Sequence, residues 1–187
     1  RERHSGPTRR ASERLTGTRN GRYGSGVTGP GGGVLLNNNM DNFAVQPGTP
    51  NHYGVVHGEA NAIAPGKRPL SSMAPTIVCR KGRGEMVMGT PGGPTIVTAL
   101  AQTLLYLIEF GWNPQDAVNA PKIHHQWLPD VLYLERGFPA DVTRALAARG
   151  HRLEYKASLT DMNAVVWRNG WLEGGADCRR EGHAAGI

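Results

Sequence analysis

Residues 76–110, TIVCRKGRGEMVMGTPGGPTIVTALAQTLLYLIEF, contain the pattern that decides the fold. Two short apolar runs, 76–79 and 85–88, flank the turn-forming residues 81–84, and this arrangement predicts a β-hairpin. After a stretch rich in glycine and proline, apolar residues recur at helical spacing over 95–110. The segment therefore predicts a hairpin, a tight turn and a helix in direct succession.

Two further helices and several strands follow, separated by proline and glycine. The helices are expected to open at Asn113-Pro114 and at Pro139, because proline suits the first helical turn, and to end before Pro121 and at Gly150. The predicted strands are 131–134, 164–167, a run from Trp171 that follows a type I′ turn at Asn169-Gly170, and Val34-Leu35-Leu36, which should be buried. Hairpins mixed with helices favour α+β layers over a doubly wound parallel sheet.

Composition restricts the class of protein. A chain of 187 residues with 39% hydrophobic content is long enough for one domain with a sizeable core. Much of the net charge of +6 lies at the N-terminus, where six of the first nineteen residues are arginine. No aromatic residues interleave with these arginines as they would in a nucleic-acid-binding surface. The longest apolar run, 100–108, is too short to span a membrane. We therefore expect neither a nucleic-acid partner nor a transmembrane segment in this chain.

The sequence gives no reason to expect a metal or a cofactor. His124-His125 is a histidine pair, but neighbouring side chains on a strand point to opposite faces. No spaced set of Cys, Asp and Glu completes a ligand shell around the pair. The two cysteines form no CxxC motif.

Three polar clusters could carry chemistry, and each also has an ordinary structural explanation. Residues 89–94 place two glycines between a strand and a helix, so their N–H groups could stabilise an oxyanion, or the segment is a plain turn. Ser71 and Ser72 could hold a carboxylate, or cap a turn. The polar run 37–42 could bind an ammonium or amide group, or form an Asx-rich turn. The residues alone leave these alternatives open.

Taken together, four motifs resemble the small subunit of gamma-glutamyltranspeptidases. The motifs are LLNNNMDNF at 35–43, PLSSMAPT at 69–76, Gly92-Gly93, and NAPKIHHQWLP at 119–129. Their order and spacing agree with the family from about Asn20 to the end of the chain. We therefore expect a family domain over 20–187, preceded by an atypical arginine-rich segment at 1–19.

The resemblance implies a fold and a mechanism. The fold is the αββα sandwich of N-terminal-nucleophile hydrolases, made when a precursor cuts itself and exposes a threonine at the start of the small subunit. That threonine attacks a gamma-glutamyl amide with its own α-amine as base, and an acyl-enzyme forms. Water, or an acceptor amino acid or peptide, then releases the acyl group. The chain's partner is the large subunit of the same precursor, in a heterodimer.

The resemblance also assigns roles to nine residues. The catalytic set is Thr18, which supports the nucleophile, with Gly92 and Gly93 as oxyanion donors. The expected substrate-binding residues are Asn20, which reaches the substrate, Asn39 and Asn42 at the glutamyl amino group, Ser71 and Ser72 at its α-carboxylate, Tyr53 on a loop over the pocket, and Gly93 again. Counting back from Thr18 and Asn20 places the nucleophilic threonine immediately before Arg1. We therefore expect the chain by itself to be inactive.

One departure from the family pattern affects specificity. Asn42 stands where the family commonly has an aspartate, so the substrate ammonium loses a full charge partner.

Three functions follow as expectations: gamma-glutamyl transfer and hydrolysis, the related chemistry of a cephalosporin acylase, or a catalytically dead chain that only binds. The family resemblance implies a periplasmic or extracellular protein.

Overall fold

A computed structural model describes residues 16–185, which fall into two compact units. The first unit ends at Asn39 and the second begins at Met40. A 3₁₀ turn, Asn39–Asn42, spans the boundary. The predicted division between 1–19 and 20–187 falls largely on residues outside the described range, so it stays a prediction.

The first unit is a glycine-rich segment folded back on itself. Thr28 and Leu35 form an antiparallel bridge, and the N–H of Ser25 donates to the Leu36 carbonyl at 3.0 Å. Val34 is 65% exposed and Leu36 45% exposed. The expected buried strand is therefore wrong. A strand is buried only when a further layer covers it, and the described residues of this unit add no such layer.

Two sheets organise the second unit. The first has the order β1-β2-β6-β7 with every neighbouring pair antiparallel, and the second has the order β3-β4-β5. The strands are β1 (Thr76–Arg80), β2 (Arg83–Gly89), β3 (Ile123–His124), β4 (Leu132–Glu135), β5 (Leu153–Lys156), β6 (Asn163–Arg168) and β7 (Trp171–Ala176). The predicted α+β class is confirmed.

Both predicted hairpins are confirmed, and their turns have the backbone that the sequence demands. Lys81 and Gly82 have φ of 49° and 77°, and Asn169 and Gly170 have φ of 52° and 86°. Positive φ at both central residues is typical of a type I′ turn, whose twist matches that of the flanking strands. A bulge between Val78 and Cys79 adjusts the β1–β2 register.

The three predicted helices are also confirmed: α1 (Thr95–Ile108), α2 (Pro114–Asn119) and α3 (Ala140–Ala148). Asn113 caps α2, since its side chain accepts a hydrogen bond from the Asp116 N–H at 2.8 Å. Gly111 follows α1 with φ of 67°. Within 16–185, the helices are too short or too polar to cross a membrane.

The core lies between the helices α1 and α2 and one face of the four-stranded sheet. Side chains alternate between the two faces of a strand, so every second residue of β1, β2 and β6 points at the helices. The core residues are Met86, Met88, Ala164 and Val166 from the strands, Ile96, Ala99, Leu100 and Leu107 from α1, Ala117 and Val118 from α2, and Met162. The intervening residues Ile77, Val165 and Trp167 are 42–48% exposed. The opposite face of the sheet is thus apolar and only partly covered by the described residues of this unit.

The second sheet contains a parallel pair that sequence analysis missed. β4 pairs with β5 in parallel, and α3 makes the connection between them. β3 is two residues long, and β5 (LEYK) has charged residues at alternate positions. Neither strand contains an apolar run long enough to be recognised.

A buried ionic cluster anchors the last described segment of the chain. The Arg179 guanidinium lies 3.0 Å from Asp177 Oδ2 and 3.4 Å from Glu135 Oε2. Asp177 and Glu135 are 0% and 2% exposed. Buried carboxylates are stable only when charges and hydrogen bonds satisfy them, and Arg179 supplies both.

The cationic side of this cluster also satisfies the C-terminal carbonyls of α2. Arg179 Nη2 donates to the carbonyls of residues 118–120 at 3.0–3.1 Å. Lys122 Nζ, on a fully buried side chain, donates to the carbonyls of Ala117 and Ala120 at 2.9 and 2.6 Å. Burial, with help from the Arg179 charge, lowers the pKa of Lys122 to about 8, while Glu135 and Asp177 oppose the change. Two cations thus complement the negative end of a short helix.

We predict that replacing Arg179 with methionine destabilises the protein by about 3 to 5 kcal/mol, because two buried carboxylates lose their partner. The matched control is Arg80→Met, which removes the exposed Arg80–Glu85 pair and should cost less than about 1 kcal/mol. Urea unfolding of both variants measures the difference. Equal costs for the two substitutions would contradict the structural role of the cluster.

Candidate active site

The strand register brings two of the predicted motifs to the same end of the sheet. Thr76 at the start of β1 pairs with Met88 near the end of β2. Ser71 and Ser72 precede the first of these strands by a few residues, and Gly92-Gly93 follows the second by a few residues. Because the strands are antiparallel, both loops emerge at the same end of the sheet.

The segment before β6 reaches this end as well. Asn163 pairs with Gly89, and the Asp161 N–H donates to Thr90 Oγ1 at 3.0 Å. The Leu159 carbonyl accepts a hydrogen bond from the Thr95 hydroxyl at 2.6 Å. Three segments of the chain therefore meet around the glycine turn.

The turn directs its carbonyl groups toward the start of α1. The Gly92 carbonyl lies 2.9 Å from Thr95 Oγ1 and 3.2 Å from the Thr95 N–H, and the Gly93 carbonyl accepts from the Ile96 N–H at 3.3 Å. Within 16–185, the N–H groups of Gly92 and Gly93 donate to no protein acceptor. Two free donors at the positive end of a 14-residue helix form an arrangement that can bind an anion.

Glycine is strongly favoured at these two positions. Gly92 and Gly93 have φ of 149° and 59°. A Cβ at Gly92 would lie 2.3 Å from Thr95 Oγ1, and one at Gly93 would lie 3.0–3.1 Å from the ring of Tyr53. The turn therefore needs glycine both for its backbone conformation and for the close approach of its neighbours.

Tyr53 packs against Gly93 from a loop organised by one asparagine. The Asn51 side-chain oxygen accepts hydrogen bonds from the N–H groups of Tyr53 and Val55, each at 3.0 Å. Burial, and secondarily the Asp41 charge, raises the pKa of the Tyr53 phenol. The ring is therefore neutral over the physiological pH range and covers the turn.

Asn61 ties the Asn42 segment to the serine segment. Its side-chain amide donates to the Asn42 carbonyl at 2.7 Å, and its side-chain oxygen accepts from the Leu70 N–H at 3.0 Å. Ser71 Oγ accepts from the Met73 N–H at 3.2 Å, so this hydroxyl also shapes its own turn. The side chain of Ser72 is half-buried. Asn42 and the serine pair thus belong to one hydrogen-bonded framework.

Three predicted site residues lie in the first unit. The Asn20 N–H donates to Thr18 Oγ1 at 3.0 Å, and the Asn20 side chain donates to the Asn38 carbonyl at 3.3 Å. The Asn39 N–H donates to Asn37 Oδ1 at 3.0 Å. Thr18, Asn20 and Asn39 therefore each take part in hydrogen bonds within this unit. The position expected for the nucleophile lies outside the described residues.

The two adjacent histidines have separate surroundings. His124 is buried and lies 2.9 Å from Thr98 Oγ1, whereas exposed His125 lies 3.0 Å from Asp130 Oδ1. Among the residues that the structure describes, no three His, Cys, Asp or Glu side chains are arranged to hold a metal ion.

Sequence reasoning missed the residues that fasten these loops. Asn51, Asn61 and Thr95 each join segments through side-chain hydrogen bonds, that of Asn51 being to the Asp41 carbonyl. The two asparagines lie in a polar connection without periodicity, so no pattern separates them from their neighbours. Thr95 had one usable signal, a hydroxyl residue directly after a glycine turn at the start of a helix.

Comparison with known proteins confirms the resemblance that the motifs indicated. The gamma-glutamyltranspeptidase family model matches residues 14–187. The glutathione hydrolase proenzyme of Escherichia coli (strain K12) is 45% identical over 166 residues, which are 88% of this chain and 29% of the proenzyme. The chain thus spans less than a third of that relative's length.

Solved structures give the same result for the fold. Gamma-glutamyltranspeptidase from Pseudomonas nitroreducens, complexed with L-DON, superposes with a TM-score of 0.87 at 41% identity, covering 92% of each chain. Cephalosporin acylase from Bacillus halodurans gives a TM-score of 0.73 at 28% identity, covering 87% of this chain and 29% of the other. The predicted N-terminal-nucleophile hydrolase fold is confirmed.

We predict that Gly93→Ala destabilises the protein by about 1 to 3 kcal/mol and displaces the Tyr53 ring, because the new methyl group meets that ring. Gly48→Ala is the control, since Gly48 has φ of 83° and no atom lies within 4 Å of its added Cβ. Urea unfolding gives the free energies, and NMR shifts of the Tyr53 ring report its displacement. An unshifted ring in Gly93→Ala would refute the contact.

Proposed function

The chain belongs to the gamma-glutamyltranspeptidase family, and from this premise we propose that its parent protein hydrolyses and transfers gamma-glutamyl groups of glutathione and related compounds. The observation that carries the proposal is the glycine turn. Its two free N–H donors emerge at the same end of the sheet as the serine pair. Such a site can bind an acyl oxygen and a carboxylate of one substrate.

The proposed reaction begins at the threonine expected immediately before Arg1. Its hydroxyl oxygen attacks the γ-carbonyl carbon while its α-amine takes the hydroxyl proton. The N–H groups of Gly92 and Gly93 stabilise the oxyanion that forms. When the C–N bond breaks, the leaving amine takes the proton and an ester remains. Water or an acceptor amine then attacks this ester and frees the threonine.

The remaining residues recognise the glutamyl group. Ser71 and Ser72 donate to the α-carboxylate, Asn39 and Asn42 supply amide groups at the α-amino group, and Asn20 reaches the substrate. Thr18 supports the nucleophile and Tyr53 covers the pocket. The Asn61 hydrogen bonds support the part of this proposal that joins Asn42 to the serines.

We also propose that the large subunit of the same precursor is the chain's partner. The uncovered face of the four-stranded sheet supports this, because Ile77, Val165 and Trp167 are more exposed than apolar side chains of a sheet usually are. The match of this chain to only 29% of a proenzyme is consistent with the same division. By analogy with the family, the protein works in the periplasm or outside the cell.

The test is hydrolysis of a chromogenic gamma-glutamyl anilide by the full-length, processed protein. We expect turnover, and we expect Ser72→Ala to raise KM about tenfold because the α-carboxylate loses a hydrogen bond to a charged group. Thr143→Val is the control, since it deletes an exposed hydroxyl on α3 and should leave KM unchanged. Absence of turnover by the processed protein would overturn the proposed function.

A second candidate is the deacylation of substrates that lack the α-amino group, as in a cephalosporin acylase. Asn42 favours it, because an uncharged amide stands where an ammonium group would be best met by a carboxylate. We predict that Asn42→Asp lowers KM for a gamma-glutamyl anilide by about tenfold. KM for a glutaryl anilide, which differs only in lacking the α-amino group, should be unchanged or raised.

The control for this change is Asn169→Asp, which adds the same charge at the β6–β7 turn. This turn lies at one end of β6, and Asn163, which pairs with Gly89 near the glycine turn, lies at the other end. The control should alter neither constant. If Asn42→Asp changes KM by the same factor for both anilides, residue 42 does not face the amino group and the acylase alternative loses its support.

A further inference from the structure

A chain of side-chain hydrogen bonds runs from α1 to the loop that bears Tyr53. Thr98 Oγ1 lies 2.9 Å from His124 Nδ1, and His124 Nε2 lies 2.9 Å from Gln126 Oε1. Gln126 Nε2 then donates to the Tyr53 carbonyl at 3.1 Å. The last contact joins residues 73 positions apart in sequence. His124 and Gln126 lie in the 119–129 motif, but neither has a role in the proposed mechanism.

The direction of each bond follows from the contacts of Gln126. Its side-chain nitrogen faces two carbonyl oxygens, those of Tyr53 and Leu128, each at 3.1 Å. The amide can satisfy both only as a donor, so its oxygen must face His124. His124 therefore donates through Nε2, and its Nδ1 faces the Thr98 hydroxyl as an acceptor. The single proton of that hydroxyl is shared between Nδ1 at 2.9 Å and the Thr95 carbonyl at 3.0 Å.

The surroundings of His124 keep this arrangement in place. The side chain is 3% exposed, and burial lowers the pKa of the imidazole, with the nearby His125 acting in the same direction. The hydrogen bond to Gln126 opposes this change. A neutral ring has one donor and one acceptor, which are the two functions that the chain requires.

The far end of the chain lies next to the glycine turn. A Cβ on Gly54 would lie 3.6 Å from Gln126 Nε2, so the loop passes directly over this amide. Tyr53, the preceding residue, places its ring against Gly93. Thr98, at the near end, lies one helical turn from Thr95, which contacts the Gly92 carbonyl. The hydrogen-bond chain therefore connects the two sides of the turn.

We propose that His124 and Gln126 are positioning residues that hold the Tyr53 loop so that its ring covers the Gly92-Gly93 turn. The importance of this position for catalysis rests on the proposed function, whereas the position itself does not. Fixing the ring excludes water from the proposed oxyanion donors. Loss of the chain should therefore lower kcat more than it alters KM.

The structural test is hydrogen–deuterium exchange of the full-length protein. Gln126→Met keeps the side-chain length and removes both hydrogen-bonding functions, and Gln126→Glu keeps the shape and removes only the donors. Either variant should speed exchange of the amides of residues 51–55 about tenfold. The control is Gln115→Met, because Gln115 makes a comparable pair of bonds to Ala176 away from the loop. Unchanged exchange in a folded Gln126→Glu protein would overturn the proposal.

Steady-state kinetics with the gamma-glutamyl anilide distinguish a positioning role from a general loss of stability. We expect kcat to fall about tenfold with KM within about twofold for both Gln126 variants, and no change for Gln115→Met. Faster loop exchange with unchanged kcat would overturn the catalytic part of the proposal. If the parent protein has no gamma-glutamyl activity but the loop exchange still responds, the proposed function fails while the positioning role stands.

Discussion

Two buried carboxylates held by Arg179 set the position of the loop on which the candidate site depends. Glu135 Oε1 accepts from the Leu159 N–H at 2.6 Å, and Asp177 Oδ2 accepts from the Met162 N–H at 3.0 Å. The Leu159 carbonyl in turn bonds the Thr95 hydroxyl beside the glycine turn. Because each carboxylate is desolvated, its bonds to backbone N–H groups are strong and directional. The ionic cluster thus fixes both ends of a loop that also contacts Thr90 and Thr95.

The site itself follows from one geometric constraint. β2 has to pass into α1 through residues 90–94, and the carbonyls of Gly92 and Gly93 are taken up by the start of the helix. The N–H groups of the two glycines donate to no acceptor among the described residues. The β1–β2 register then brings the serine loop to the same end, and the ring of Tyr53 lies over the turn. This convergence supports the proposal that a substrate lies between the glycine turn and the serine loop.

Local patterns were enough to predict the hairpins, the three helices and the glycine turn, because each depends on residues close in sequence. The buried strand at Val34-Leu35-Leu36 was predicted wrongly, because burial requires a covering layer that an apolar run cannot guarantee. The short strands β3 and β5 were missed, since their pairing is set by tertiary contacts. The contacts of Asn61, Gln126 and Arg179 join residues far apart in the chain, and no local signal reveals them. The roles of the site residues came from the family motifs and remain predictions.

The most direct test of the account is a crystal structure of the full-length, processed protein with bound L-glutamate. We predict that one γ-carboxylate oxygen lies about 3 Å from the N–H groups of Gly92 and Gly93, and that the α-carboxylate lies within the same distance of the Ser71 and Ser72 hydroxyls. A fully occupied ligand that leaves the glycine N–H groups without a contact would contradict the account.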